Sequence, residues 1–561
     1  MHYYDLGTYE CAISTQSDQA QLWFNRGLNW LFGYNHQEAI ACFQRAIDAD
    51  ANCAMAYWGI AYAAGPNYNL PWALYDAASK SQALQMAFDA TQTALELSAQ
   101  TTPLEQALIA ALKARYPKRI IDANMAEWDR NFAQVMRLAF NAHSHSLDML
   151  SIYVEALLNC TPWKMWEIST GIPAAGAYTL DAMEQLERAF ATKPGAMQHP
   201  GLLHLYIHLM EMSPFPERAL KAAEALRNLV PDAGHLIHMP THIDLLCGDY
   251  QNVVRWNSAA VAADLKYYER EGAYNIYTGY RQHNYHFIIY GAMFLGQYAP
   301  AMKASREMWD TTPEAMLRVQ TPPMADYFES YLSMEPHILI RFGKWKDAIN
   351  LTLPKDQTLY CSLTALVHYA RALGHAALKD VASAKQEEQL FLKAAQRVPE
   401  SRRLHNNKVI DLLAIAKSML AGEISYREGR FENAFSCLRN AIILEDNLPY
   451  DEPWGWMQPT RHALGALLIE QGQLRAAEQI YREDLGLATG LSRASIHPNN
   501  IWSLKGLYDC LNARNETVEI KHVQANLDLA QARADHIVKA SCACALSKQA
   551  LPAFGNRFER L

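Results

Sequence analysis

Residues 22–65 read LWFNRGLNWLFGYNHQEAIACFQRAIDADANCAMAYWGIAYAAG. Apolar and small residues recur at helical spacing through two segments, separated by a break at Gly33 to Asn35. The second segment ends at an Asp-rich turn, and another helical segment follows. Residues three and four apart on a helix share a face, so each segment has one side to bury. Gly27, Ala39 and Ala46 fall where paired helices would approach closely. Such a helix, turn, helix unit cannot bury its apolar side alone and must stack on copies of itself.

The pattern returns along the whole chain. PERALKAAEALRNLVPDA (216–233) has the second-helix signature, and the LCGDY (246–250) and LGQY (295–298) stretches read as inter-helix turns. Further units follow at ALVHYARALGHAALKDVASAKQEE, ISYREGRFENAFSCLRNAIILED and ALGALLIEQGQLRAAEQIYREDL. This is the tetratricopeptide pattern, with a period of about 34 residues. Strand-like alternation bounded by hairpin signals is absent. The expected fold is all-α, a tetratricopeptide-like right-handed superhelix of stacked helix pairs with aromatic loop insertions. The reading divides it into repeats over 1–130, histidine-bearing repeats over 131–345, further repeats over 346–535, and a tail over 536–561.

With 561 residues, 50% hydrophobic and 19% charged, the chain supports large buried cores. A net charge of −8 with scattered basic residues argues against nucleic acid as a partner. No apolar run is long enough to span a membrane and the N-terminus has no signal-peptide pattern, so a cytoplasmic protein is expected. Ten irregularly spaced cysteines do not form a disulfide framework. Cys542 and Cys544, in SCACALS, could bind a soft metal or be an incidental pair.

Three irregular stretches interrupt the array: GPNYNLPW (65–72), the aromatic insertion at 160–179 with Trp163 and Trp166, and YDEPWGWMQPTRH (450–462). Their aromatic content suits lids packed on the array rather than disordered loops.

Histidines cluster between 199 and 286. HPGLLHLYIHLME holds His204 and His208 with Glu211, GHLIHMPTHI holds His235, His238 and His242, and RQHNYHF holds His283 and His286. Counting back from the turns puts each group on the first helix of its unit, where the side chains would face the concave surface. Pro240 is comfortable at a first helical position and disruptive within a helix, which leaves His235 the least secure member. His36, His143, His145, His405 and His462 default to structural roles. Seven grouped imidazoles point to a metal site, with a hydrogen-bonded polar core as the alternative. Nitrogen ligation suits copper or iron, with zinc possible, and six or more imidazoles exceed the needs of one tetrahedral ion. No H-E-x-x-H, G-x-S-x-G, P-loop or G-x-G-x-x-G occurs.

Seven segments in this order carry a wider resemblance: FGYNHQEAIACFQRAI, CAMAYWGIAYAAGPNYN, EALLNCTPWKMW, HPGLLHLYIHLMEMS, AGHLIHMPTHI, YRQHNYHF and LPYDEPWGWMQPTRHALG. The chain resembles, over nearly its full length, a family of large bacterial tetratricopeptide-repeat proteins marked by HPGxxHxxIH and HMPTHI-type motifs. That family has no agreed reaction. The resemblance implies a site at the histidines, with Glu211 and Asn284 beside them, and at Asp451, Glu452, Trp456 and Arg461.

The functional expectation is a metal-dependent enzyme, an oxidoreductase acting on a small molecule at a mono- or dinuclear site. His204, His208, His238, His242, His283 and His286 would hold metal, while Glu211 and His235 would serve catalysis. Trp163, Trp456, Asp451 and Arg461 would hold the substrate. The alternatives are a scaffold that binds a protein partner through its repeat groove, and a zinc-dependent hydrolase.

Overall fold

The structure is a computed structural model that describes residues 3–545. The opening stretch forms three helices, Asp18–Phe32, His36–Ala49 and Ala54–Ala64. Phe43 on the second is the wedge between the other two. A Cβ on Gly27 would lie 2.5 Å from the Phe43 ring, and one on Gly59 would lie 2.7 Å from it. Hydrogen at these two positions is what lets three helices meet on one aromatic ring. Gly59→Val would force the ring or a helix aside, at a cost of ~1–3 kcal/mol or more. Urea unfolding should show that loss, and an unchanged midpoint would contradict the close packing. Tyr481 repeats the device near the other end, wedged between Gly465 and Gly506.

The inter-helix turns are built alike. Tyr34, Gly248, Gly296, Gly343, Lys379, Gly429 and Gly472 all take a left-handed φ between 55° and 77°. This conformation stops one helix and redirects the chain, and glycine adopts it without steric cost, which is why five of the seven are glycine. The next residue caps the following helix in several units: Asn35, Asp249 and Asp380 accept from the backbone N–H of Glu38, Asn252 and Ser383. The chain is therefore an all-α array of tetratricopeptide-like helix pairs. Two minimal antiparallel pairings, Trp166–Glu167 with Ile172–Pro173 and Arg403–Leu404 with Asn407–Lys408, lie in loops and leave the all-α class unchanged.

Apolar burial falls into two large clusters. One runs from Leu6 to Ile243 and the other from Leu245 to Cys544. Distant segments close on each other across the array. Arg270 pairs with Glu38, the Arg493 guanidinium donates to the Leu246 carbonyl at 2.8 Å, and Asp535 accepts from the Tyr298 and Ala299 N–H groups at 2.6 and 2.8 Å. No helix among the described residues is long and apolar enough to cross a membrane.

Candidate metal centre

The histidines lie where the two apolar clusters meet. Pro200 opens the helix Pro200–Met210, and His199 caps it by accepting from the Leu202 N–H through Nδ1 at 3.2 Å. His204 and His208 follow one turn apart, and Glu211 sits at the helix end. The next histidines are on two short helices, Gly234–His238 and Pro240–Leu246. Met239 between them keeps helical angles (φ −51°, ψ −40°), so the chain stays helical across Pro240, which occupies a first-turn position and needs no N–H partner. His235 thus keeps its place beside its neighbours, and the doubt attached to it from Pro240 is removed. His283 comes from the helix Thr278–Leu295.

Two groups of three result. His204, His208 and His235 have ring centroids 4.7, 4.9 and 6.2 Å apart. His238, His242 and His283 have theirs at 4.7, 4.9 and 5.9 Å. Within each group one ligating nitrogen per residue lies within 4.8 Å of the others, and all six rings are buried. The groups adjoin, with His235 and His238 rings 5.9 Å apart and His208 and His242 rings 6.4 Å apart.

Hydrogen bonds aim these rings. His204 Nδ1 lies 2.7 Å from the Phe32 carbonyl oxygen, which can only accept, so Nδ1 carries the proton and Nε2 presents a lone pair. His208 Nδ1 donates to Glu211 Oε1 at 3.1 Å. His238 Nδ1 donates to Asn257 Oδ1 at 2.6 Å, and the Asn257 amide nitrogen is committed to Thr241 Oγ1 and the Val253 carbonyl, which fixes which way the amide faces. His242 Nδ1 donates to Glu452, with Glu211 Oε2 3.2 Å away. Two consequences follow. The Nε2 atoms of His204 and His208 are buried without a hydrogen-bond partner. The Nε2 atoms of His238 and His242 lie 2.8 Å apart, so a proton or another cation is shared between them. Such orientation of the outer nitrogen by carbonyl and carboxylate is how metal-ligating histidines are held.

Burial holds His204, His208, His235, His238 and His283 well below the ordinary imidazole pKa, and the neighbouring imidazoles add to the effect. Burial also raises the Glu211 and Glu452 carboxyls, Glu452 further because Glu211 is close. Glu211 joins the two groups through His208 and His242, and with His242 and Glu452 it forms a third possible ligand set.

All three irregular loops cover this centre. Tyr68 packs on His208 at 4.6 Å, Trp163 lies 6.0 Å from the same ring, and the third loop supplies Glu452. The histidines are enclosed, not spread along an open concave surface. Asp451 accepts from His405 Nδ1 and from Asn407 Nδ2 at 2.6 Å, and His405 stacks on His283 at 4.5 Å and meets Trp163 edge-on at 5.2 Å. The His405 side chain keeps 24% of its surface exposed, so the centre approaches solvent on this side.

Other expected members stand apart. His286 points its Nε2 at Met457 Sδ, 2.9 Å away, and belongs to neither group; three residues from His283, its ring is turned toward the 454–457 loop. Trp456 packs on His337 and Tyr369 at 5.1 and 5.8 Å. Arg461 spends its fork on Asp446 at 2.6 and 2.8 Å. Neither is positioned to hold a substrate at the histidines. Residues that the spacing missed are His405, Glu452, Asn257 and the flanking Tyr34 and Tyr68. Only Glu452 carried a signal, as a carboxylate within an aromatic loop. His462 keeps its structural role, bonded to Arg341 and to Asp484 at 2.8 and 2.9 Å.

His337 offers a clean pH test, because burial alone lowers its pKa to about 4. The unfolded imidazole titrates near ~6.5. The unfolded chain therefore gains a proton that the folded chain does not as pH falls from about 6.5 toward 4, and stability is lost across that window. His337→Gln should lose less stability than the parent on going from pH 7 to pH 4, by roughly 3 kcal/mol, measured by urea unfolding. Equal losses would place His337 in water.

No family model matches the chain, and no curated protein does. Solved structures of helical-repeat proteins align along most of it. The human IFIT1 dimer with m7Gppp-AAAA is 9% identical over 93% of this chain and 92% of that one, with a TM-score of 0.30. The APC/C hetero-tetramer Cut9-Hcn1 is 13% identical over 94% and 96%, with a TM-score of 0.29. Scores this low say nothing of function, and the helix pairs and their turns define the fold of this chain by themselves.

Proposed function

We propose that this protein is a metal-dependent oxidoreductase whose ions occupy the two three-histidine groups. One observation carries the reading: the buried Nε2 atoms of His204 and His208, each oriented by a hydrogen bond on the opposite nitrogen, have no protein partner, and a buried Nδ1 of His235 and of His283 is also unpaired. An unpaired buried polar atom costs ~1–3 kcal/mol, and several in one place are hard to account for as a purely structural core. All-imidazole donor sets fit copper or iron, and zinc less distinctively. A bound transition ion would supply electron transfer there. The chain's own residues do the rest. Phe32, Asn257, Glu211 and Glu452 hold the ring tautomers, Tyr68 and Trp163 exclude water, and Glu211 with Glu452 can accept protons beside His242. A small substrate would approach from the His405 and Trp163 side, with Asp451 fixing His405.

Elemental analysis of the purified full chain tests this directly. The expected content is about two equivalents of copper or iron, removable by chelation and restorable. If no ion copurifies or rebinds at micromolar levels, the reading falls.

A second reading, a protein-interaction scaffold, is favoured by a different observation. The segment around Ser541 to Cys544 already lies against the C-terminal helix pairs as a tight turn, the Ala545 N–H donating to the Cys542 carbonyl, as a short peptide partner could. A stoichiometric partner whose capture is indifferent to His204→Ala and His242→Ala would support it.

A further inference from the structure

The segment that ends the described chain returns to the helix pairs. Ser541 Oγ is hydrogen-bonded to the Tyr481 hydroxyl at 2.5 Å and lies 3.2 Å from the His462 carbonyl oxygen, while the Cys544 carbonyl accepts from Arg427. Ala543 packs so closely on Gly343 that a Cβ there would come within 2.8 Å of it. Cys542 and Cys544 are joined as a disulfide, and Cys544 is buried. Both line a small cavity with Met419, Tyr369, Arg341 and His462.

The cavity measures about 30 Å³, room for a single ion or water and not for an organic ligand. Its sulfur donors are three: two cysteines and the Met419 thioether, which also accepts a long contact from the Tyr369 hydroxyl at 3.9 Å. Thiolate and thioether are soft donors that favour Cu(I)-class ions over magnesium or calcium, and three sulfurs with no free imidazole or carboxylate fall short of the four ligands zinc takes. Its charge is suitable as well. Arg341 is buried at 3% exposure, its Nε has no partner, and it lines the same wall. The one carboxylate in the lining, Glu423, is committed to Arg427. His462 is not a ligand, since both its nitrogens are bonded.

We propose that the reduced Cys542 and Cys544 pair, with Met419, binds one soft monovalent cation of the Cu(I) class. The site is separate from the histidine groups and does not depend on the reading given to them. Reduction needs a thiol reductant. The Cys542–Cys544 S–S bond breaks, two electrons and two protons pass from two reductant thiols, and the reductant sulfurs join in a disulfide of their own. Ion binding then displaces the two thiol protons to solvent, leaving a two-thiolate complex of charge −1 beside the Arg341 guanidinium.

Ag(I) is the probe, titrated into the full chain in its disulfide form and in a thiol-reduced form freed of reductant under anaerobic conditions. The other eight cysteines are free in both forms and cancel in the difference. Reduced protein should take up one more equivalent than oxidised protein. That extra equivalent should vanish in the C542S/C544S double variant and persist in His204→Ala and His242→Ala. Met419→Leu, which leaves the tail untouched, should retain the equivalent with lower affinity. Equal uptake by the two forms would overturn the site, as would an extra equivalent that survives in the double serine variant. Unchanged affinity in Met419→Leu would overturn its three-donor form. Loss of the extra equivalent in the histidine variants would assign it to the histidine groups instead.

Discussion

Alanine at His204 should empty one histidine group and spare the other, leaving about one metal ion per chain where the proposed parent content is about two. His238→Ala should do the converse. The rings belong to separate groups of three, so each substitution removes one ligand from one group. The affinity loss at the affected group should exceed the ~10–100-fold that follows removal of a merely supporting hydrogen bond. Each ion held a thousandfold above its dissociation constant adds ~4 kcal/mol to stability. Chelation should therefore lower the melting temperature of the parent by more than that of either variant. Metal content by elemental analysis and melting by calorimetry read the two effects independently. Retention of both ions in His204→Ala would remove that residue from the ligand set, and simultaneous loss of both would mean that the six rings serve one shared site. Colour and spin resonance then separate copper and iron from zinc, which has neither.

Glu211→Leu should weaken both groups at once, although Glu211 need not touch either ion. Its Oε1 orients His208 and its Oε2 lies beside His242, so one carboxylate supports a ring in each group. Loss of that support should cost ~10–100-fold in affinity at both. Glu452→Leu is the control, because among the six rings Glu452 is bonded to His242 and should affect only the second group. Glu211→Gln keeps an acceptor oxygen and should recover part of the loss. A Glu211→Leu protein that weakens one group only would break the link between them.

Much of this was legible in the residues themselves. Helical period, small residues at Gly27 and glycine turns at Gly248 and Gly296 specify helix pairs locally, because each depends on neighbours within a few positions. His204 with His208, and His238 with His242, were legible for the same reason, being one turn apart on a helix. The partition into two groups was not. It depends on how the helix Thr278–Leu295 is rotated against its neighbours, which turns His283 inward and His286 toward Met457. His405 and Glu452 arrive from segments far along the chain, and helical spacing carries no information about them. Pro240 misled in the opposite direction, since a proline at a first helical turn leaves the path of the chain intact.

A stacked array makes contacts mainly between neighbours and can begin folding anywhere along its length. This one is joined at its middle by residues far apart in the chain, His242 meeting Glu452 across 210 positions. During synthesis, at ~5–20 residues per second, the ribosome would therefore deliver the histidine helices ~10–40 seconds before the loop that closes over them. In that interval the rings stand open to whichever ion is at hand. On the proposed reading, the identity of the metal would then be set by the order of arrival as well as by affinity.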